Sequence, residues 1–391
     1  MNKIYREYCT GCGLCKSINI AEMKIEENGF PVACNESDTY DSFFEKVCPA
    51  GGNYKTLLNS EVWGESKSIY LGWATDNIIR SKASSGGILT SLCMYMLNEG
   101  YVDGIIQTRS SETRPFETET IVSRSESDII SCCGSRYSIS SPLLNISQIL
   151  SSGEKYLFVG KPCDVFTLKK YIEQNKDIKK QVPFLFSFFC AGEPSLNAQK
   201  KLIEKLGATI DNCSTLKYRG DGWPGYATIT TKEGHESKLS YEESWGGILG
   251  RDVRKICRFC LDGIGLAADL VCGDAWYLDD NGNPDFTEHD GRNLIICRNK
   301  EAEELVSKAK EEGYITVSEY TNANCELKLI QRYQFERRTT MFPMLFAMKL
   351  LGRNVPKYDL KKLKILSHNT DVAKRTKRFL GTVKRVYQNK I

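Results

Sequence analysis

Cys9-Thr10-Gly11-Cys12-Gly13-Leu14-Cys15 decides how the N-terminal part of this 391-residue chain is built. Three thiolates at C-x2-C-x2-C spacing wrap three corners of a cubane cluster, and the small residues between them let backbone amides approach the sulfides. A zinc site prefers cysteine pairs separated by a longer spacer. Bacterial ferredoxins follow the triplet with three residues and a Cys-Pro, a fourth cysteine that serves the other cluster in two-cluster versions. Here the corresponding positions are Asn19 and Ile20, and no second triplet follows, yet Cys48-Pro49 is present. The ligands of one cluster are present as a set and those of a second are absent as a set. One 4Fe-4S cluster is therefore expected on Cys9, Cys12, Cys15 and Cys48. Cys34 has no place in the pattern and reads as a packed or free thiol.

Composition supports a metal over disulfides. The chain has 16 cysteines but only three histidines, His235, His289 and His368, which leaves little room for imidazole-based catalysis. Hydrophobic residues at 41% and charged residues at 26% exclude disorder, collagen-like repeats and a polytopic membrane protein. Met1 to Cys15 lacks the apolar stretch of a secretory signal, so a cytoplasmic location is expected. Reducing compartments keep thiols unpaired and free to bind metal.

Residues 1–60 read as a small ferredoxin-like module that needs a staple. From about Tyr70 to Val317 short apolar runs alternate with helical patterns. Val102–Gln107, Tyr156–Gly160, Phe184–Phe189 and Asp269–Cys272 read as buried strands, each running into a Gly- or Pro-rich turn. Ile88–Asn98 and Leu196–Leu206 read as helices ended by Gly100 and Gly207. Lys232–Ser244 is more polar and suggests an inserted hairpin. The fold class is then α/β (α+β): core segments 61–150 and 151–320, and a helical basic tail at 321–391. Between Arg353 and Ile391 twelve Lys and Arg stand against Asp359 and Asp371; that stretch is net +10 in a chain of net +4, so the remainder is net −6.

A second cysteine set starts from Cys257-Arg258-Phe259-Cys260, whose spacing alone also suits zinc or a redox pair. The best candidates to complete it are Cys163 in Gly160-Lys161-Pro162-Cys163 and Cys190 in Phe189-Cys190-Ala191-Gly192, since both sit just past expected strands, a position from which side chains can converge at one sheet edge. Cys272 competes for the same role.

Taken with Ser84-Ser85-Gly86-Gly87, Gly134-Ser135-Arg136-Tyr137 and Ala268-Asp269 followed by Gly273-Asp274-Ala275-Trp276, these motifs resemble the beta-subunit family of coenzyme F420 hydrogenases and dehydrogenases. That family is related to the plastid hydroxymethyl-chlorophyll reductase. The likeness runs to about residue 300. It implies an FAD-binding core beside a second 4Fe-4S cluster on Cys163, Cys190, Cys257 and Cys260. Lys161 departs from the small or hydroxyl residue usual in the family, and Cys272 is an extra thiol.

Within that core, Ser84, Ser85, Gly86 and Gly87 suit a pyrophosphate cradle: glycines admit close approach, hydroxyls donate, and the next helix points its amides at the anion. The same residues also suit an ordinary helix N-cap. Arg136 suits a phosphate and Tyr137 a stacked ring, while Lys161 and Arg219 would set positive charge near the flavin. Trp223 and Trp276 are candidates to roof the ring. Asp274 is a candidate proton donor or ribose partner, or a turn cap.

The function expected is an iron–sulfur flavoprotein oxidoreductase. It would pass electrons between a ferredoxin-like carrier and an organic substrate or deazaflavin coenzyme, through two 4Fe-4S clusters and FAD. The alternative is a non-catalytic relay subunit of a larger redox complex. A zinc-stabilised nucleic-acid module is a third reading, and no nucleic-acid-binding motif accompanies the basic charge. Lys361-Lys362-Leu363-Lys364 and Lys374-Arg375-Thr376-Lys377-Arg378 suggest docking of an acidic carrier or an anionic membrane, or else a solvated terminus.

Overall fold

A computed structural model describes residues 6–34, 41–51, 61–321 and 323–388. The end of the N-terminal module at 52–60 and the last three residues of the tail lie outside them. In chain order the strands are β1 (Glu22–Ile25), β2 (Pro31–Cys34), β3 (Ser68–Ala74), β4 (Gly104–Ser110), β5 (Thr118–Ser123), β6 (Tyr156–Gly160), β7 (Phe184–Phe188), β8 (Cys213–Lys217), β9 (Ala227–Thr231), β10 (Glu236–Leu239), β11 (Leu270–Asp274), β12 (Asn293–Cys297) and β13 (Ile315–Glu319).

Eight strands form one mixed sheet in the order β13-β3-β12-β11-β7-β6-β4-β5. Its centre, β11-β7-β6-β4, is parallel, and antiparallel strands flank it on both sides. The central strands are almost wholly apolar because both faces are covered. On one face Leu92 and Met96 of helix Ile88–Asn98 and Leu305 and Val306 of helix Lys300–Glu311 pack on Ile105, Leu157, Phe186 and Leu270. On the other face helix Pro162–Gln174 contributes Val165, Phe166 and Leu168.

That second cluster continues into both ends of the chain. Tyr8, Leu14, Phe44, Val47 and Ala50 join it from the N-terminal side, and Met341, Met344, Leu345 and Leu363 from the C-terminal side. The N-terminal cysteine segment and the C-terminal helices thus share one apolar core with the sheet.

The strands foreseen from the apolar runs are β4, β6, β7 and β11, and the helix at Ile88–Asn98 has the expected bounds. The polar stretch from Lys232 supplies the turn and second strand of a β9–β10 hairpin that begins earlier, at Ala227. The hairpin pairs with β8 to make a separate three-stranded sheet.

In the tail, the carboxylates of Asp359 and Asp371 accept amides at the starts of helices Leu360–Ser367 and Val372–Tyr387. The two acids of the tail therefore cap helices, and the lysines and arginines carry the surface. No described helix is long and apolar enough to cross a membrane.

Because β6, β7 and β11 run in parallel, their carboxyl ends release Lys161, Phe189 and Ala275 at one edge of the sheet. The Ser84–Gly87 turn is tied to the same edge, since the Ala74 amide donates to the Gly86 carbonyl at 2.6 Å. The Cys9–Cys15 loop is held against the core at Gly13, which has φ +89. A Cβ there would stand 2.9 Å from the Leu144 backbone. Gly13→Ala should therefore cost more than the roughly 1–2 kcal/mol of a left-handed alanine alone. Loss of that docking should appear as faster proteolysis of the N-terminal segment, and an unchanged digestion rate would show that the contact is dispensable.

Candidate functional site

The first cysteine set comes together as its spacing requires. Cys9, Cys12 and Cys15 lie on the loop and turn leading through helix Leu14–Ser17, and Cys48 ends helix Asp41–Val47. Burial, reinforced by Asp164, pushes the Cys12 thiol up to about 12. Burial raises Cys15, and the neighbouring charges of Cys12, Cys48 and Cys9 raise it further. Cys48 is raised by burial and then by Cys9 and Cys12. Metal binding requires such thiols to give up their protons. Backbone amides are already aimed at them: Gly11 N–H meets Cys9 Sγ at 3.4 Å, Leu14 N–H points to Cys12, and Ala50 and Gly51 N–H to Cys48. Such donors favour the charged sulfur.

The second set also converges. Cys163 opens helix Pro162–Gln174, Cys190 follows β7, and Cys257 and Cys260 lie on and just after the 3-10 turn Lys255–Phe259. All four line one small cavity of about 30 Å³ together with Thr10, Lys161, Glu193, Arg254 and Arg337. Burial leads in raising Cys190 to about 11 and Cys257 to about 12, with the charges of their fellow cysteines adding to it. Gly192, Glu193 and Asp262 direct backbone amides at Cys190, Cys257 and Cys260. Cys272 does not line that cavity; it lies on β11 near Cys297 of β12 and Cys93 of helix Ile88–Asn98.

Among the described residues no three His, Cys, Asp or Glu side chains are arranged to hold a single metal ion. A cubane takes its thiolates at four separate corners, so the two all-sulfur donor sets, both with aimed amides, fit 4Fe-4S clusters.

A buried charge network joins the two sets. Lys161 Nζ lies 3.0 Å from both Asp164 and Glu193, and also donates to Ser140. Arg254 holds the other Glu193 oxygen through Nε at 2.7 Å and donates to the carbonyls of Cys9 and Pro31. Burial opposes the Glu193 charge, but Arg254 and Lys161 outweigh it and hold this carboxyl below the usual range. Burial likewise opposes the Lys161 charge, and Asp164 and Glu193 keep the ammonium well above its ordinary value. The Cys9 loop is further tied in by Ser141 Oγ donating to Gly11 O at 2.7 Å and by Leu143 N–H donating to Cys12 O at 2.8 Å.

Beside the second set opens a cleft of about 820 Å³, within the range of pockets that take cofactors. Lys161, Cys190, Gly192 and Glu193 line both cavities. Ser84, Ser85, Gly87, Arg136, Tyr137, Arg219 and Asp274 line the cleft as well. Arg136 is half-buried; its terminal nitrogens donate to the carbonyls of Ser135 and Ser131, its buried Nε has no partner, and it makes no ion pair among the described residues. An uncompensated guanidinium on the wall suits a phosphate. The Ser84 hydroxyl accepts from Ser135 N–H at 2.6 Å, and the Ser85 hydroxyl donates to Arg292 O at 2.8 Å. Asn293 Oδ1 takes the Ile88 amide.

Three placements differ from a simple reading of the motifs. Gly86 faces away: a Cβ there would meet Gly72 O at 2.7 Å and Asn293 N at 2.8 Å, so packing on β3 and β12 demands the glycine. The Asp274 carboxylate takes Arg219 at 3.0 and 3.1 Å and Trp223 Nε1 at 2.9 Å. With both oxygens engaged it anchors Arg219 and Trp223 at the cleft. Trp223 is buried behind Trp276, stacked at 4.9 Å, and only Trp276 reaches the cleft. Tyr137 packs on Trp245 at 4.7 Å. Sequence reasoning missed the Glu193–Arg254 pair and Arg337, whose partners are distant in the chain.

Two family models match, both describing the beta subunit of coenzyme F420 hydrogenase/dehydrogenase: the model of its N-terminal part over residues 69–148, and the model of its C-terminal part over 153–323. Among similar proteins, the coenzyme F420 hydrogenase subunit beta of Methanosarcina barkeri is 25% identical over 276 residues, 68% of this chain and 86% of that one. The F420-dependent formate dehydrogenase subunit beta of Methanocaldococcus jannaschii is 25% identical over 285 residues, 71% of this chain and 70% of its own length. A chain of the F420-reducing [NiFe] hydrogenase complex from Methanosarcina barkeri superposes with a TM-score of 0.58 at 21% identity, covering 75% of this chain and 97% of that chain. This last likeness is one of fold.

Proposed function

The chain belongs to the coenzyme F420 hydrogenase/dehydrogenase beta-subunit family, and from that premise we propose that it is an iron–sulfur flavoprotein redox subunit. Its two clusters and FAD would link a ferredoxin-like one-electron carrier to a deazaflavin coenzyme or another organic hydride partner. When bound, the clusters would supply single-electron transfer and the flavin would convert between one- and two-electron chemistry.

The observation that supports this reading is adjacency: the Cys9–Cys15 loop borders the cavity of the second cysteine set, and that cavity borders the cleft. Thr10 lines the cavity of the second set, and four residues of that cavity line the cleft.

The residues of the chain hold and insulate. Cys9, Cys12, Cys15 and Cys48 would grip one cluster and Cys163, Cys190, Cys257 and Cys260 the other, both in water-poor surroundings. Arg136 would take a phosphate of FAD beside the start of helix Ile88–Asn98, with Ser84 and Gly87 shaping the turn. Lys161 and Arg219 hold positive charge on the cleft wall, and Trp276 presents an aromatic face there. The basic C-terminal helices, beyond the span of the family models, offer a surface for an acidic carrier.

Anaerobically prepared protein should contain about eight irons, matching acid-labile sulfide and about one FAD per chain. Colourless protein, or protein whose cysteines bind zinc, ends this reading.

A second reading, a relay subunit whose catalytic partner is another chain, is favoured by the relatives' names, which are those of subunits of hydrogenase and formate dehydrogenase. It expects the same cofactors and no turnover of a deazaflavin by the isolated chain with an artificial electron donor.

A further inference from the structure

Arg337 stands on helix Arg332–Thr339, after the last residue matched by the family models, yet its side chain lines the cavity of the second cysteine set. It is 7% exposed. One terminal nitrogen donates to Cys190 O at 2.9 Å and to Gln334 Oε1 at 2.8 Å, and the other reaches Ala191 O at 3.5 Å. Its buried Nε has no partner. Its cavity is lined by Cys163, Cys190, Cys257 and Cys260, by Glu193, which Lys161 and Arg254 hold, and by Asp262. Arg337 makes no ion pair with Asp or Glu among the described residues.

A buried cation is retained only where something negative compensates it. The chain also makes room for it at Gly263, where a Cβ would fall 1.4 Å from a terminal nitrogen of Arg337. The same helix braces the Cys190 turn through Gln334 Nε2, which donates to Cys190 O at 3.1 Å.

We infer that Arg337 is the built-in charge partner of the group held by Cys163, Cys190, Cys257 and Cys260, and that it sets the reduction potential of that group. This rests on the two-cluster reading above. A fixed positive charge favours the more negative, reduced state, so the C-terminal helices make the second site easier to reduce than its thiolates alone would. Arg337 therefore acts as a positioning and tuning residue, and the helical extension is part of the redox centre.

The test is a redox titration of the full-length protein followed by electron paramagnetic resonance, with iron counted in each variant. Arg337→Gln should lower the reduced-to-oxidised ratio of one cluster at fixed potential by about tenfold, equivalent to about 59 mV for a one-electron couple, and leave the other cluster unmoved. Arg337→Lys, which keeps the charge, should retain most of the ratio. Gly263→Ala, which pushes the guanidinium aside without removing it, should shift the same cluster in the same direction, and it serves if the glutamine variant does not fold. Full iron with an unmoved potential in Arg337→Gln, or equal shifts in the lysine and glutamine variants, overturns the role of the charge. Wild-type protein without iron instead overturns the two-cluster reading on which this rests.

Discussion

Cys12→Ser is expected to halve the iron bound per chain, from about eight to about four, and to abolish reduction by a ferredoxin-like donor while the flavin stays bound. Cys12 is 8% exposed and sits between Cys9 and Cys15 on a loop fixed by Gly11 and Gly13. A serine oxygen is a hard ligand at a site made for soft sulfur. The cleft is lined by none of Cys9, Cys12, Cys15 or Cys48, which is why FAD content should hold. Under the proposed reading the first set would be the outer station, with the second set beside it across Thr10 and Asp164. Iron assay, flavin assay and stopped-flow reduction by a reduced ferredoxin check the three parts. Flavin reduction at the wild-type rate in a four-iron variant would place electron entry elsewhere.

What can be read from the sequence is local. C-x2-C-x2-C spacing states its geometry within seven residues, and Tyr156–Gly160 is apolar throughout because a central parallel strand is covered on both faces. Helix Ile88–Asn98 carries its own stop in the left-handed Gly100. What cannot be read is pairing at a distance. Glu193 and Arg254 are 61 residues apart, and Asp274 meets Arg219 from 55 residues away. Gly86 shows the same difficulty from another side: a glycine that admits a ligand and one that admits the backbone of Gly72 look alike in sequence. Arg337 lies in a stretch that reads as a charged tail, where one arginine among many gives no sign that it turns inward. The basic composition describes the surface and hides the exception.

Glu193→Gln should be strongly destabilising although it is a conservative substitution. The wild-type carboxylate, 3% exposed, is shared between Lys161 at 3.0 Å and Arg254 at 2.6 Å. An amide keeps the shape but removes the charge, leaving the Arg254 guanidinium buried with only carbonyl partners and Lys161 dependent on Asp164. Breaking a buried ion pair from one side costs about 3–5 kcal/mol, a large part of the roughly 5–15 kcal/mol that holds a typical domain. The loss should appear as a lower denaturation midpoint in guanidinium followed by circular dichroism. If it arises from an uncompensated cation, adding Arg254→Met to the glutamine variant should restore part of it, because the unpaired charge goes. That recovery would be incomplete, since Arg254 also holds Cys9 O and Pro31 O and so fastens the N-terminal loop to the second site. A double variant in which the two losses simply add would show that Glu193 and Arg254 do not act as a pair, and that the two cysteine sets are held together by packing alone.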